Sequence, residues 1–179
     1  QNSMRDALVA STTLDIFNKH ADRVRMANIA QMVDVLQAKI LTKGKQMVLT
    51  PTYYVFGMYK KHMEATYLPI HISSKNYTYD GDPLPAISAT ASKDSTGKIH
   101  ITMSNLDPHS GQTVTVDLRG VKLHRITNSR LLTSDHFDDV NSFDHPDVVK
   151  PVSFKGATLE GNHLMIMIPS KSIVAMELE

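Results

Sequence analysis

Cysteine is absent from the 179 residues, which removes disulfides, thiolate nucleophiles and Cys-ligated zinc. That absence suits a cytoplasmic, periplasmic or secreted protein equally, so the compartment stays open. Tryptophan is missing too, and aromatics make up only 6%, leaving few flat rings for a sugar to stack on. Charge of one sign is also lacking: 19 Lys and Arg offset 18 Asp and Glu. Without a basic block, no nucleic acid partner is expected. No apolar run approaches the roughly 20 residues of a membrane helix, so no membrane partner is expected either. Glycine, at 8 residues, is too sparse for a phosphate loop. No G-x-S-x-G elbow presents a serine nucleophile. The chain opens on a polar QNS without Met or any signal-peptide pattern, and reads as a piece of something longer.

What is there divides into two halves. In residues 1–70, Ser3-Met-Arg-Asp6 has the form of a capping box, with Asp in the Glu/Gln role. Leu8, Val9, Thr12, Ile16 and Phe17 follow at helical spacing, and Lys19, His20 and Arg23 sit where the helix dipole favours cations. Val24–Ala30 is apolar on both faces except at Asn28, the pattern of a strand in a parallel sheet covered by helices. LQAKIL and QMVL flank TKGK as a hairpin turning at Gly44. Thr50-Pro51 starts a helix that carries Tyr54, Val55, Met58, Tyr59 and His62 at helical spacing. Helix, buried strand, hairpin, helix is the tail of an α/β repeat.

Residues 71–179 read as strand throughout. PAISATAS, KIHITMSN, QTVTVDLRG, HLMIMIP and SIVAMEL are short runs separated by turn signals such as DSTG, DPHSG and EGN. Ile99, Ile101 and Met103 alternate with His100 and Thr102, and Val114, Val116 and Leu118 with Thr115 and Asp117. One apolar face and one wet face predict a jelly-roll-like antiparallel β-sandwich, so the whole chain is mainly β with a small α/β segment in front. The methionines of LMIMI and IVAMEL take core-like positions. His100 and His124 fall on outer strand faces, His20 and His62 near helix ends.

The run RDALVASTTLDIFNKHADRVRMANIAQMVDVLQAKIL and the helix TPTYYVFGMYKKH resemble the closing part of glycoside hydrolase family 51, the α-L-arabinofuranosidases. NSFDHPDVVKPV and PSKSIVAMEL are similar to that family's C-terminal sandwich. The resemblance implies a (β/α)₈ barrel joined to a sandwich. It also implies retaining hydrolysis of terminal arabinofuranosyl groups from arabinan, arabinoxylan and related oligosaccharides, without a cofactor, in an enzyme that is commonly a homo-oligomer. It makes Met4–Arg23 the seventh barrel helix, Arg25–Ala30 the eighth strand, and Tyr53–Met63 the last helix. A barrel takes about 250 residues, so residues 1–70 are an incomplete portion whose partner is the missing barrel. They are expected to pack on the sandwich in a non-barrel arrangement or to self-associate through their apolar faces.

Two amides in RMANIAQMV then need an account. From pattern alone both are buried amides satisfied by neighbours. The resemblance changes this for Gln31 only: at the C-terminal rim of a barrel strand it becomes a substrate-binding contact, an uncharged group that both donates and accepts. Asn28 stays structural.

Retaining glycosidases need two carboxyl groups about 5–5.5 Å apart. The chain has four glutamates, Glu64, Glu160, Glu177 and Glu179, and none ends a barrel-type strand. The family's pair comes from strands that would precede Ser3, so no catalytic residue is assigned here and the chain alone is expected to be inactive. Asp34 is near the rim but reads as a solvated loop acid. TSDHFDDVNSFDHPD holds two D-H-x-D units, yet its spacing matches no metal motif, so no metal site is assigned. Its Asn141-Ser142 and Pro146 make turns in a crossover. A different class of function is a non-catalytic carbohydrate-binding module, with Tyr77 and Tyr79 as its few platforms. Retardation in arabinan gels would separate that from a structural domain.

Overall fold

The structure, a computed structural model, describes residues 2–179. Helix α1 spans Met4–Lys19. Its start is fixed by Asp6, whose carboxylate accepts from the Ser3 backbone N–H (2.8 Å) and hydroxyl (3.0 Å). Two first-turn N–H groups that a helix leaves orphaned donate to the distant acidic loop, Met4 to the Asp139 carbonyl and Arg5 to that of Phe137. The face buried by α1 is Met4, Ala7, Leu8, Ser11 and Asp15, while Val9 and Ile16 are 60% and 57% exposed.

Hairpin strands β1 (Ile40–Lys43) and β2 (Gln46–Leu49) pair antiparallel around Gly44, whose φ of +59° is the left-handed conformation such a turn needs. Thr50 then caps α2 (Pro51–Tyr59): its hydroxyl oxygen accepts from the Tyr53 N–H, and its own O–H donates to the Ala38 carbonyl. Pro51 at the first position loses nothing, because that N–H has no helical acceptor. The helix tightens into a 3₁₀ turn, Lys60–His62.

The expected strand Arg25–Ala30 is not formed. Residues 24–29 are irregular, and Met26 is 74% exposed. A parallel strand needs neighbours for its N–H and C=O groups, and no strand lies beside this segment. Its one relative is a single parallel bridge further on, Val33 to Ile40.

Strands β3 (Thr66–Leu68), β6 (Ile87–Lys93), β7 (Ile99–Asn105), β9 (Ile126–Thr133), β10 (Val152–Ser153) and β13 (Ser172–Leu178) form one antiparallel sheet, while β4 (Asn76–Tyr79) and β5 (Asp82–Pro85) make a separate hairpin. The order in the sheet is β10-β9-β13-β7-β6-β3. The smaller sheet, β11-β12-β8, comprises β8 (Gln112–Asp117), β11 (Ala157–Glu160) and β12 (His163–Ile168). The two sheets share one apolar core. Ile99, Ile101, Met103, Val174 and Met176 from the larger meet Leu164, Ile166 and Ile168 from the smaller. The alternation in β12 sends Met165 and Met167 outward, 52% and 62% exposed, against the expectation that LMIMI fills the core.

The other face of the large sheet is covered as well. Every residue of β7 is buried, including His100 and Thr102, which corrects the expectation of a wet outer face. Helices α1 and α2 lie there over a second core of Met4, Leu8, Val55, Leu132, Val149 and Ile173. The molecule is therefore three layers: helices, six-stranded sheet, three-stranded sheet. Helices α1 and α2 pack on the sandwich, and the described residues before β3 close no barrel.

Candidate functional site

Gln31 is exposed, on the irregular segment just before the loop that returns to β1. That loop is well tied. The Met32 carbonyl accepts from the N–H groups of Lys39 and Ile40, and Asp34 N–H donates to the Ile40 carbonyl. The Asp34 carboxylate accepts from both the hydroxyl and the backbone N–H (2.6 Å) of Thr42, which hold it below its ordinary range. Asp34 is thus a loop fastener. Asn28 is exposed rather than buried, and edges an apolar groove of about 270 Å³ with Val9, Leu14, Phe17, Ile29 and Phe56. Gln31, three residues further on, is exposed and is not one of the groove's lining residues.

A second cleft, of about 220 Å³, opens between α2 and the sheet, lined by Tyr53, Lys61, His100, Asn128, Arg130 and Glu177 among others. Glu177 accepts from the Asn128 amide (3.0 Å) and pairs with Lys61 at 3.5 Å. Partial burial works to raise its carboxyl, but those partners prevail and lower it. Glu179 pairs with Arg125 and Lys98. Glu64 follows the 3₁₀ turn with φ +57°, and Glu160 ends β11, both exposed. The four glutamates occupy four different stations.

The acidic loop is a structural strap. Its Asn141 is buried and bonds three backbone groups: Leu49 O (2.8 Å), Val149 O (2.9 Å) and Val149 N–H (2.8 Å). Asp139 accepts from the His136 N–H, and Asp147 pairs with Lys150. Among the described residues no cluster of three His, Asp or Glu side chains has metal-binding geometry.

A buried polar cluster between helices and sheet was not foreseen. Asp15 touches Tyr59 Oη (2.6 Å) and Ser88 Oγ (2.5 Å). Ser11 and Ser104 share a hydrogen bond of 2.7 Å. His62, expected near a helix end where a cation is comfortable, is instead buried between Ser92 and Thr102. Burial raises Asp15 to about 7 despite the hydrogen bonds from Ser88 and Tyr59. Burial, with the nearby His100, lowers His62 to about 4. The available signal was spacing: Met4, Leu8, Ser11 and Asp15 form a stripe beside the more apolar one.

The α-L-arabinofuranosidase C-terminal domain model matches residues 1–172. An intracellular exo-α-L-arabinofuranosidase of Bacteroides ovatus is 48% identical over 180 residues, covering 100% of this chain and 35% of the relative. The family 51 arabinofuranosidase structure from Xanthomonas axonopodis pv. citri superposes with a TM-score of 0.96 at 46% identity, over 100% of this chain and 36% of that one. AbfB, a family 51 α-L-arabinofuranosidase from Bifidobacterium longum, gives 0.89 at 26% identity, over 99% of this chain and 35% of its own. The chain spans about a third of the length of these relatives. Matched along nearly its whole length in sequence and in layer order, it belongs to the α-L-arabinofuranosidase C-terminal domain family of glycoside hydrolase family 51.

Proposed function

We propose that this chain acts as the C-terminal third of a retaining α-L-arabinofuranosidase that releases terminal arabinofuranosyl groups from arabinan- and arabinoxylan-type oligosaccharides or polysaccharides. The observation that carries this is the match to the Xanthomonas enzyme, which extends through both the helices and the sandwich. In this reading the catalytic carboxyl pair comes from the upstream barrel, and the groove along α1 receives it. Gln31 contributes an amide at the sugar-facing rim, and the assembled enzyme is a homo-oligomer. The exposure of Gln31 supports its availability to a sugar once neighbouring strands order the segment.

The test is a chimera in which this chain replaces the matching C-terminal third of the Bacteroides ovatus relative. It hydrolyses an aryl α-L-arabinofuranoside, and Gln31→Ala lowers its kcat/KM roughly tenfold or more, as loss of a substrate hydrogen bond does. A folded chimera that cleaves nothing contradicts the reading. Unchanged kcat/KM in Gln31→Ala removes that residue from the site.

A further inference from the structure

The sheet face beneath α1 and α2 is polar where helix–sheet contacts are usually apolar. Ser88 and Ser92 from β6, and Thr102 and Ser104 from β7, meet Ser11, Asp15, Tyr59 and His62 from the helical layer. Two ionisable side chains are enclosed there without a counter-ion. Asp15 is 5% exposed and joins none of the ion pairs among the described residues. Tyr59 of α2 is the titratable group facing it, and β6 offers only the Ser88 hydroxyl.

Counting hydrogens points to the state of Asp15. Tyr59 Oη has one hydrogen but lies 2.6 Å from Asp15 Oδ1 and 3.0 Å from the Ser11 carbonyl. Each contact has its own hydrogen when Asp15 is a protonated acid: it donates to Oη, and the phenol donates to Ser11. Ser88 donates to the other oxygen. His62 has Ser92 Oγ 2.7 Å from Nδ1 and Thr102 Oγ1 2.8 Å from Nε2, two hydroxyls that can each donate or accept, so a neutral ring is satisfied by taking one bond and giving the other, with no carboxylate in contact. The ionisable groups around it already have partners. His100 of β7, 6.4 Å away between ring centroids, bonds Asp94, and Glu177 of β13 holds Lys61 and Asn128.

We propose that folding exchanges a proton between these two groups, so that a neutral Asp15 and a neutral His62, bridged by Tyr59, clamp the helices to the sandwich. In the unfolded chain at mildly acidic pH, Asp15 is a carboxylate and His62 an imidazolium. On folding, one proton leaves His62 for solvent and one joins Asp15 from solvent, with no net uptake. The Tyr59 ring spans the gap, its centroid 5.6 Å from that of His62 and its hydroxyl on Asp15.

The consequence is a clamp whose pH dependence cancels. The folded Asp15 lies above its unfolded value of 3.8, so its contribution is full below that and is lost as pH rises towards about 7. The folded His62 lies below 6.5, so its contribution is present above that and is lost as pH falls towards about 4. Between about 4 and 6.5 the two slopes are opposite and near equal. This inference concerns folding alone and stands or falls apart from the sugar chemistry.

Urea unfolding of the full chain from about pH 4.5 to 6.5 tests it, comparing wild type with Asp15→Asn and His62→Gln. Relative to wild type, Asp15→Asn makes stability rise more with pH, by about one proton per molecule. His62→Gln makes it fall by a similar slope. Unchanged slopes, or changes of the same sign, overturn the proposal. Should a variant not fold, wild-type spectra at about pH 5.5 decide the matter. A protonated buried carboxyl in the infrared and neutral-imidazole nitrogen shifts for His62 support the exchange, and an ionised Asp15 or a cationic His62 overturns it.

Discussion

Asn141 shows how much one side chain holds. It spans the end of the β1–β2 hairpin and the strap leading to β10, bonding backbone groups 92 and 8 residues away. Asn141→Ala leaves the Leu49 and Val149 carbonyls without these donors, and should cost about 1–3 kcal/mol in urea unfolding. Asn141→Asp should be worse, because a carboxylate would face two carbonyls it cannot donate to; its penalty grows as pH rises through the carboxylate range. The sequence marked Asn141 as a turn-maker in a crossover, whereas it lies in no turn and its side chain ties backbone groups together between two strands of one sheet. Its long-range partners were not legible, since a hydrogen bond to a distant backbone leaves no local pattern. Asp15 and His62 were missed for the same reason. Each takes its character from strands more than 25 residues away, and a lone polar residue on a helix looks the same whether it meets water or serine.

Helix α1 has two working faces. Leu8 lies in the core against the sheet, at 4% exposure, while Val9 and Ile16 border open space. Leu8→Ala should therefore cost about 2–5 kcal/mol. Val9→Lys and Ile16→Lys should shift the isolated chain by no more than about 0.5 kcal/mol, yet lower the activity or yield of the chimera, where that face is expected to be covered. Equal destabilisation of the isolated chain by all three would mean that α1 has one buried face and no docking face. Helix starts and the hairpin were legible because Ser3, Asp6, Gly44, Thr50 and Pro51 act on their own backbone neighbours. The strand expected at Arg25–Ala30 was not, because a strand is completed by another strand. A sequence can carry the composition of a buried β-strand while the pairing partner lies elsewhere.

The whole molecule is a sandwich whose larger sheet carries two helices on its second face, with an apolar groove between α1, Phe56 and the irregular segment that holds Asn28. Alternating residues in β7 and β8 made the sandwich legible. They did not reveal the third layer, because Ser, Thr and His on a strand's second face suit water as well as a polar helix contact. The groove is edged by Asn28, three residues before the exposed Gln31, and we propose that the barrel docks on this side. On the proposed function, the hydrolytic groups belong to that barrel and this chain supplies its support and rim. The most direct measurement is turnover of an aryl α-L-arabinofuranoside by the purified chain alone. No turnover above the buffer rate is expected, and robust turnover that disappears in Asp34→Asn or Glu177→Gln would place the hydrolytic groups in this chain instead.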